Sequence, residues 1–299
     1  MTLAQTSAFP AWQPHPEVWL LLAGLVGLGL YASRVIQPTV VAAGGAGITA
    51  AQKRWFVFGI ALLWLASDWP VHDIAEERLY SVHMFQHLLY TVVIPPVFLL
   101  ATPEWLGRLI LGDGTVLRAF RRVARPIPAA IIYNVVVLVT HWAWLVNNSV
   151  RYGPIHYTVH VVVVMTALIM WTPVCGPFPE MRISPPARMI HIFLMSIIPT
   201  IPAAFLTTSD NLIYTAYDHG PRLWGLSPVE DQQAAGLMMK LTGGFYLWGL
   251  ILIMFTRWVG RENRAVGKYR GTLVPTVAAE TRETSESGLP AEPQGSNAG

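Results

Sequence analysis

Cysteine is nearly absent from the chain: Cys175 is the only one among 299 residues. A single thiol excludes a disulfide framework and a C-x-x-C metal or redox motif within the chain, and in WTPVCGPFP it reads as a small buried residue. Charge is scarce as well. Charged residues make up 12% against 53% hydrophobic, with a mean hydropathy of +0.45, where a soluble domain carries about a quarter charged residues. An ordinary soluble domain is thereby excluded. No Lys or Arg precedes Arg34, and no small-residue cleavage site stands before position 40, so the first apolar stretch reads as a retained helix and not a signal peptide. Internal repeats, a Gly-rich phosphate loop after a strand and a G-x-S-x-G elbow are all missing.

What the chain has is apolar length. Stretches of about 17 to 25 residues, enough to cross a hydrocarbon core, fall near 17–34, 55–70, 81–101, 128–147, 156–174, 188–207 and 233–257. Their continuity fits helices, since barrel strands alternate lumen and lipid residues. The expected fold is all-α: a polytopic membrane protein with a bundle of seven transmembrane helices over 1–270. Residues 271–299, rich in Glu, Thr, Ser, Pro and Gly, read as a disordered cytoplasmic tail. Pro95, Pro96, Pro199 and Pro202 are expected to kink or unwind the third and sixth helices.

Alternate connections differ sharply in basic residues. One set holds fifteen: Arg34, Lys53 and Arg54, the Arg108 to Arg125 group, Arg182 and Arg188, and the group from Arg257 to Arg270. The other holds three, Arg78, Arg151 and Arg222. That asymmetry places the N-terminus outside and the C-terminus in the cytoplasm. The net charge of +3 then reflects topology and gives no reason to invoke nucleic acid.

On that topology five of nine histidines share the outer half of the membrane: His83, His87, His141, His156 and His160. Four form two H-x-x-x-H pairs. Residues four apart share one helix face, with Cβ atoms about 5 to 6 Å apart, so each pair is a potential half-site for one ion. His141 is placed about two turns below the outer end of the fourth segment, at roughly 1.5 Å rise per residue. Neutral imidazole suits copper, zinc, iron and nickel, and a thioether biases selection towards Cu(I). Met84 adjoins the first pair, but its position points away from both rings. A histidine at a membrane interface also satisfies itself on a carbonyl or headgroup, and two pairs plus His141 tip the balance towards a shared metal or haem site. His191 reads as structural. His15, His72 and His219 lie in outer segments able to receive an ion without holding it.

Acidic residues gather on the same side. Asp68, Asp73, Glu76 and Glu77 follow the second segment, and Asp210, Asp218, Glu230 and Asp231 lie between the sixth and seventh. The loop acids read first as solvated surface; the functional alternative is a cation-attracting vestibule in which Asp68 or Asp231 orients the histidines from behind. Lys240, about two turns into the seventh segment, needs a partner, a wet cavity or a route for its ammonium to snorkel outward.

Residues 79–105, LYSVHMFQHLLYTVVIPPVFLLATPEW, combine an H-M-x-Q-H element, an apolar run, a proline pair and a small-x-Pro ending. This stretch resembles the signature of the CtaG family of cytochrome c oxidase assembly proteins. DWP-x-H at 68–72, SDNLIYTAY at 209–217 and DQQAAG at 231–236 fit the same pattern, and the resemblance covers most of 17–260. After DQQAAG the family pattern has a Trp where this chain has MMKLTGG, so no role is carried over there. The resemblance implies a multi-pass protein of the bacterial cytoplasmic (inner) membrane that helps build a haem-copper oxidase, handling copper on the outer face. Its partners would be oxidase subunits and other copper chaperones. His83, Met84, Gln86 and His87 map onto the motif; His141, His156 and His160 rest on depth alone. Low-coordinate Cu(I) held by imidazoles leaves a position open for a recipient's ligand, and such delivery needs no catalysis. Two readings compete: a b-type haem protein with one axial histidine from each of two helices, and a seven-helix zinc hydrolase similar to alkaline ceramidases. The hydrolase would use His156, His160, His87 and Asp68.

Overall fold

The computed structural model describes residues 9–112, 114–218 and 223–286, with side chains as far as 266. His219 and Arg222 lie outside the described residues. Every regular element among those described is helical. In chain order they are α1 (Pro16–Ala42), α2 (Ala50–Ser67), α3 (Val71–Glu77), α4 (Tyr80–Ala101), α5 (Glu104–Leu111), α6 (Thr115–Val123), α7 (Pro126–Thr140), α8 (Ala143–Arg151), α9 (Gly153–Cys175), α10 (Pro185–Thr208) and α11 (Pro228–Glu286). Short 3-10 turns fill parts of the connections.

Five helices are long and apolar enough to cross a membrane: α1, α4, α9, α10 and α11 over Pro228–Val266. The pair α6 and α7, bent by 76°, makes a sixth if it is one span. The expected second segment corresponds to α2, which starts with a capping box: Thr49 and Gln52 each take the other's backbone N–H, at 2.9 and 3.2 Å. Lys53 and Arg54 in its first turns lower its apolar content.

Prolines shape the long helices. A π-helical turn, Ala32–Ile36, stands just before Gln37-Pro38 in α1, and another, Leu89–Val93, just before Ile94-Pro95-Pro96 in α4. A wider turn accommodates the bond that a proline cannot make. At Pro199, α10 breaks between Pro185–Ile197 and Thr200–Thr208, with Pro202 in the first turn of the second piece.

The second half of α4 packs against α2, and α9 lies against both α4 and α7. Trp171, Tyr80, Phe178 and Leu79 are among the fully buried side chains, and so are Gln86 and Gln232. Two compact units divide the chain, Met1–Ile251 and Leu252–Gly299. The second is helical as far as Glu286, so helix extends into the segment whose composition reads as a disordered tail; 287–299 lie outside the described residues.

Candidate metal centre

Both H-x-x-x-H pairs sit near the N-terminal ends of their helices, His83 and His87 on α4 and His156 and His160 on α9. The i,i+4 spacing stacks each pair on one face, with ring centroids 4.4 Å apart for His83 and His87 and 4.2 Å for His156 and His160. Packing of α4 against α9 then turns the faces together. His87 and His160 are 4.9 Å apart, and His83 lies 6.0 and 5.9 Å from His156 and His160.

A carboxylate completes the group. Glu76, last but one in α3, brings Oε1 to 3.3 Å from Nδ1 of His83 and 3.2 Å from Nε2 of His156. Neither contact is aligned as a hydrogen bond, and these three atoms, with Nε2 of His87 and of His160, are buried without a hydrogen-bond partner. Ligand atoms of His83, His87 and His160 lie within 4.8 Å of one another, as do those of Glu76, His156 and His160. Buried polar atoms ordinarily find partners. Five that converge on a common space without aligning on each other have the arrangement of donors to an ion.

Burial alone would raise the Glu76 carboxyl, but His83, His156 and His72 outweigh it and hold the group at about 2. His72, one turn earlier on α3, stands 6.3 Å from His156, its imidazole pushed down by burial. His15 adjoins His72 at 4.9 Å and engages Asp73 at 3.1 Å.

Sequence reasoning treated Glu76 as solvated surface, although His72-x-x-x-Glu76 shows the same i,i+4 spacing as the two histidine pairs. His141 stands elsewhere. Helix α7 stops at Thr140, leaving His141 as its C-cap, not two turns inside a span, because Trp142 turns extended and starts α8. Nδ1 of His141 donates to the Val137 carbonyl at 2.7 Å, and His141 is in neither ligand group. Asp68 takes the indole N–H groups of Trp19 and Trp64, at 3.0 and 2.7 Å, and the backbone N–H of Trp69. Met84 is buried one position from His83. Gln86 donates to the Ala66 carbonyl at 2.6 Å and lies 3.2 Å from Nδ1 of His72. His191 meets the Met170 carbonyl at 3.1 Å.

Asp231 acts from behind the site. Its carboxylate accepts the backbone N–H of Tyr80 at 2.7 Å and of Ser81 at 3.1 Å, together with the Ser81 hydroxyl. It thus caps the helix that carries His83 and His87, where free amides and the helix dipole favour an anion. Gln232 accepts from Ile213 at 2.7 Å and donates to Asn211 at 3.2 Å, tying 209–217 to α11. That loop lays Tyr217 6.1 Å from His83 and 5.0 Å from Tyr80. The elements HMxQH, SDNLIYTAY and DQQAAG thus meet around one set of imidazoles.

The cytochrome c oxidase caa3 assembly factor family, Caa3_CtaG, matches residues 29–261. The chain belongs to this family. The matched region contains every residue of the histidine and Glu76 cluster, so the cluster is part of the CtaG domain and not an appendage to it. No curated protein and no solved structure matches the chain. Membership assigns the CtaG protein to oxidase assembly and favours a non-catalytic role.

Proposed function

We propose that this CtaG protein binds copper at the centre formed by His83, His87, His156, His160 and Glu76 and delivers it during assembly of a caa3-type cytochrome c oxidase. The observation that carries the reading is the convergence, from α3, α4 and α9, of five buried donor atoms that have no hydrogen-bond partner. Copper is cargo here. Three or four imidazoles bind Cu(I) without bond-making chemistry, and the Glu76 carboxylate offsets the charge of the ion. The same charge draws the cation towards the imidazoles. The asymmetry of basic residues supports an N-terminus outside the bacterial cytoplasmic membrane; with α2 and the α6–α7 pair each counted as a crossing, the centre would open to the side where an outer-face subunit of the oxidase can take the ion.

A zinc hydrolase is the second reading, and Glu76 favours it: a carboxylate beside three imidazoles is also the donor set of zinc-bound water. Asp68, the carboxylate expected for that role, is instead committed to two indoles. Metal analysis of anaerobically purified full-length protein, with an absorption spectrum, separates the readings. Copper that falls in His83→Ala and His87→Ala, together with a copper-poor oxidase in cells carrying them, supports delivery. Stoichiometric zinc, or a Soret band from haem b, overturns it.

A further inference from the structure

Beside the histidine centre lies a second cavity of different chemistry. Its walls include Met84, Met170, Met195 and Met239 with His87 and His141, drawn from α4, α7, α9, α10 and α11. All four methionines are buried. Four of the chain's ten methionines therefore line one space, and the Met195 sulfur there accepts from the Asn134 amide at 3.8 Å.

His141 supplies the decisive detail. A carbonyl only accepts, so Nδ1, 2.7 Å from the Val137 oxygen, carries the proton and Nε2 carries the lone pair. That Nε2 is buried without a partner, as a ligand nitrogen oriented by its other ring nitrogen would be. Nε2 of His87, which borders both the cavity and the histidine centre, is also unpartnered. Lys240 lines the cavity too, but it is exposed. Its stem can form wall while the ammonium stays outside the buried thioethers.

We infer that this cavity is a second Cu(I) site, in which His141 and methionine thioethers receive the ion from the histidine centre across His87. The inference rests on the copper reading of that centre. Both donors are neutral; the imidazole accepts copper or zinc, and the soft thioethers bias the pair towards Cu(I) and away from the hard cations calcium and magnesium. Neighbouring sites sharing a border residue let an ion move by exchanging one ligand at a time, without a free-ion intermediate in the apolar interior. The centre with a carboxylate is the entry, and the thioether cavity holds the monovalent ion alone.

The test uses full-length protein carrying Cys175→Ala, which removes the only thiol, so that any sulfur bound to copper is a thioether. Loaded anaerobically with Cu(I), it is expected to hold about two ions per chain, with sulfur in the copper X-ray absorption spectrum. Met195→Leu with Met239→Leu, near-isosteric changes that preserve packing, should weaken the sulfur signal and the second equivalent; His141→Gln should lower the second equivalent alone. His83→Ala with His87→Ala should spare the sulfur-bound ion at high Cu(I). Full loading with only nitrogen and oxygen neighbours overturns the cavity site and leaves the histidine centre standing. No bound copper overturns both.

Discussion

Glu76 shows how much a candidate site depends on residues whose chemistry is unremarkable in sequence. The two H-x-x-x-H pairs were legible because helical spacing alone brings each pair onto one face. Glu76 was not, since its value depends on where α3 places it, and a carboxylate near a membrane surface ordinarily reads as solvated. The depth of His141 was misread for the opposite reason: it was counted along an assumed helix through 147, but α7 ends at Thr140, which sets His141 apart from the two histidine pairs. If the copper reading holds, His83→Ala and His87→Ala insert normally yet bind less copper, and oxidase in those cells lacks copper at limiting supply. Excess external copper partly restores occupancy by mass action. Full copper occupancy and wild-type oxidase activity in both variants at limiting copper would sink the assignment. Glu76→Gln keeps the shape and removes the charge, so its copper affinity should fall by about 10- to 100-fold, the usual effect of losing a supporting carboxylate. Competition with a calibrated Cu(I) chelator measures it, and an unchanged affinity would remove Glu76 from the centre.

The helices carrying the histidines are joined by bonds that neither helix announces by itself. Pro95 and Pro96 lack the N–H groups that an α- or a π-turn would aim at the Thr91 carbonyl. Trp171 of α9 supplies the missing donor, its indole N–H 2.9 Å from that oxygen. The bond pins α9 to α4 well inside the bundle from the imidazoles. The prolines were readable as sites of irregularity, but their partner, eighty residues away in sequence, was not. Trp171→Phe leaves a buried carbonyl unsatisfied and should cost about 1 to 3 kcal/mol, seen as a lower midpoint of unfolding in detergent. A variant as stable as wild type would mean that water or a shifted turn replaces the indole. Asp231 has the same character at the other end of α4. Asp231→Asn retains the size but loses the charge that two amides and the helix terminus engage, so it should weaken copper binding while Cu(I) still reaches full stoichiometry at high concentration. Loss of stoichiometry instead would make Asp231 a ligand.

At the scale of the molecule, composition carried the class and left the count of spans to local detail. Long apolar runs made an all-helical protein legible, whereas by length and composition five helices meet the measure of a span, the bent α6–α7 pair makes a sixth if it is one span, and α2 is not among them. The fourth segment divides at the 140–143 junction, and α2 spends its first turns on Gln52, Lys53 and Arg54. Basic residues still supply an argument that no single helix does. Arg108, Arg121 and Glu180 form one ion-pair group, with contacts of 3.0 and 2.7 Å, so connections from the predicted cytoplasmic set meet at one end of the bundle. If α2 and the bent pair each complete a crossing, the histidine centre and this arginine cluster lie on opposite sides of the membrane. Reporter fusions after Pro70 and after Asn148 should then report the outer compartment, and fusions near Arg122 and Arg264 the cytoplasm. Cytoplasmic activity after Asn148 would put α8 and the start of α9 inside. His156 and His160 would then open towards the cytosol, and copper would have to arrive from there.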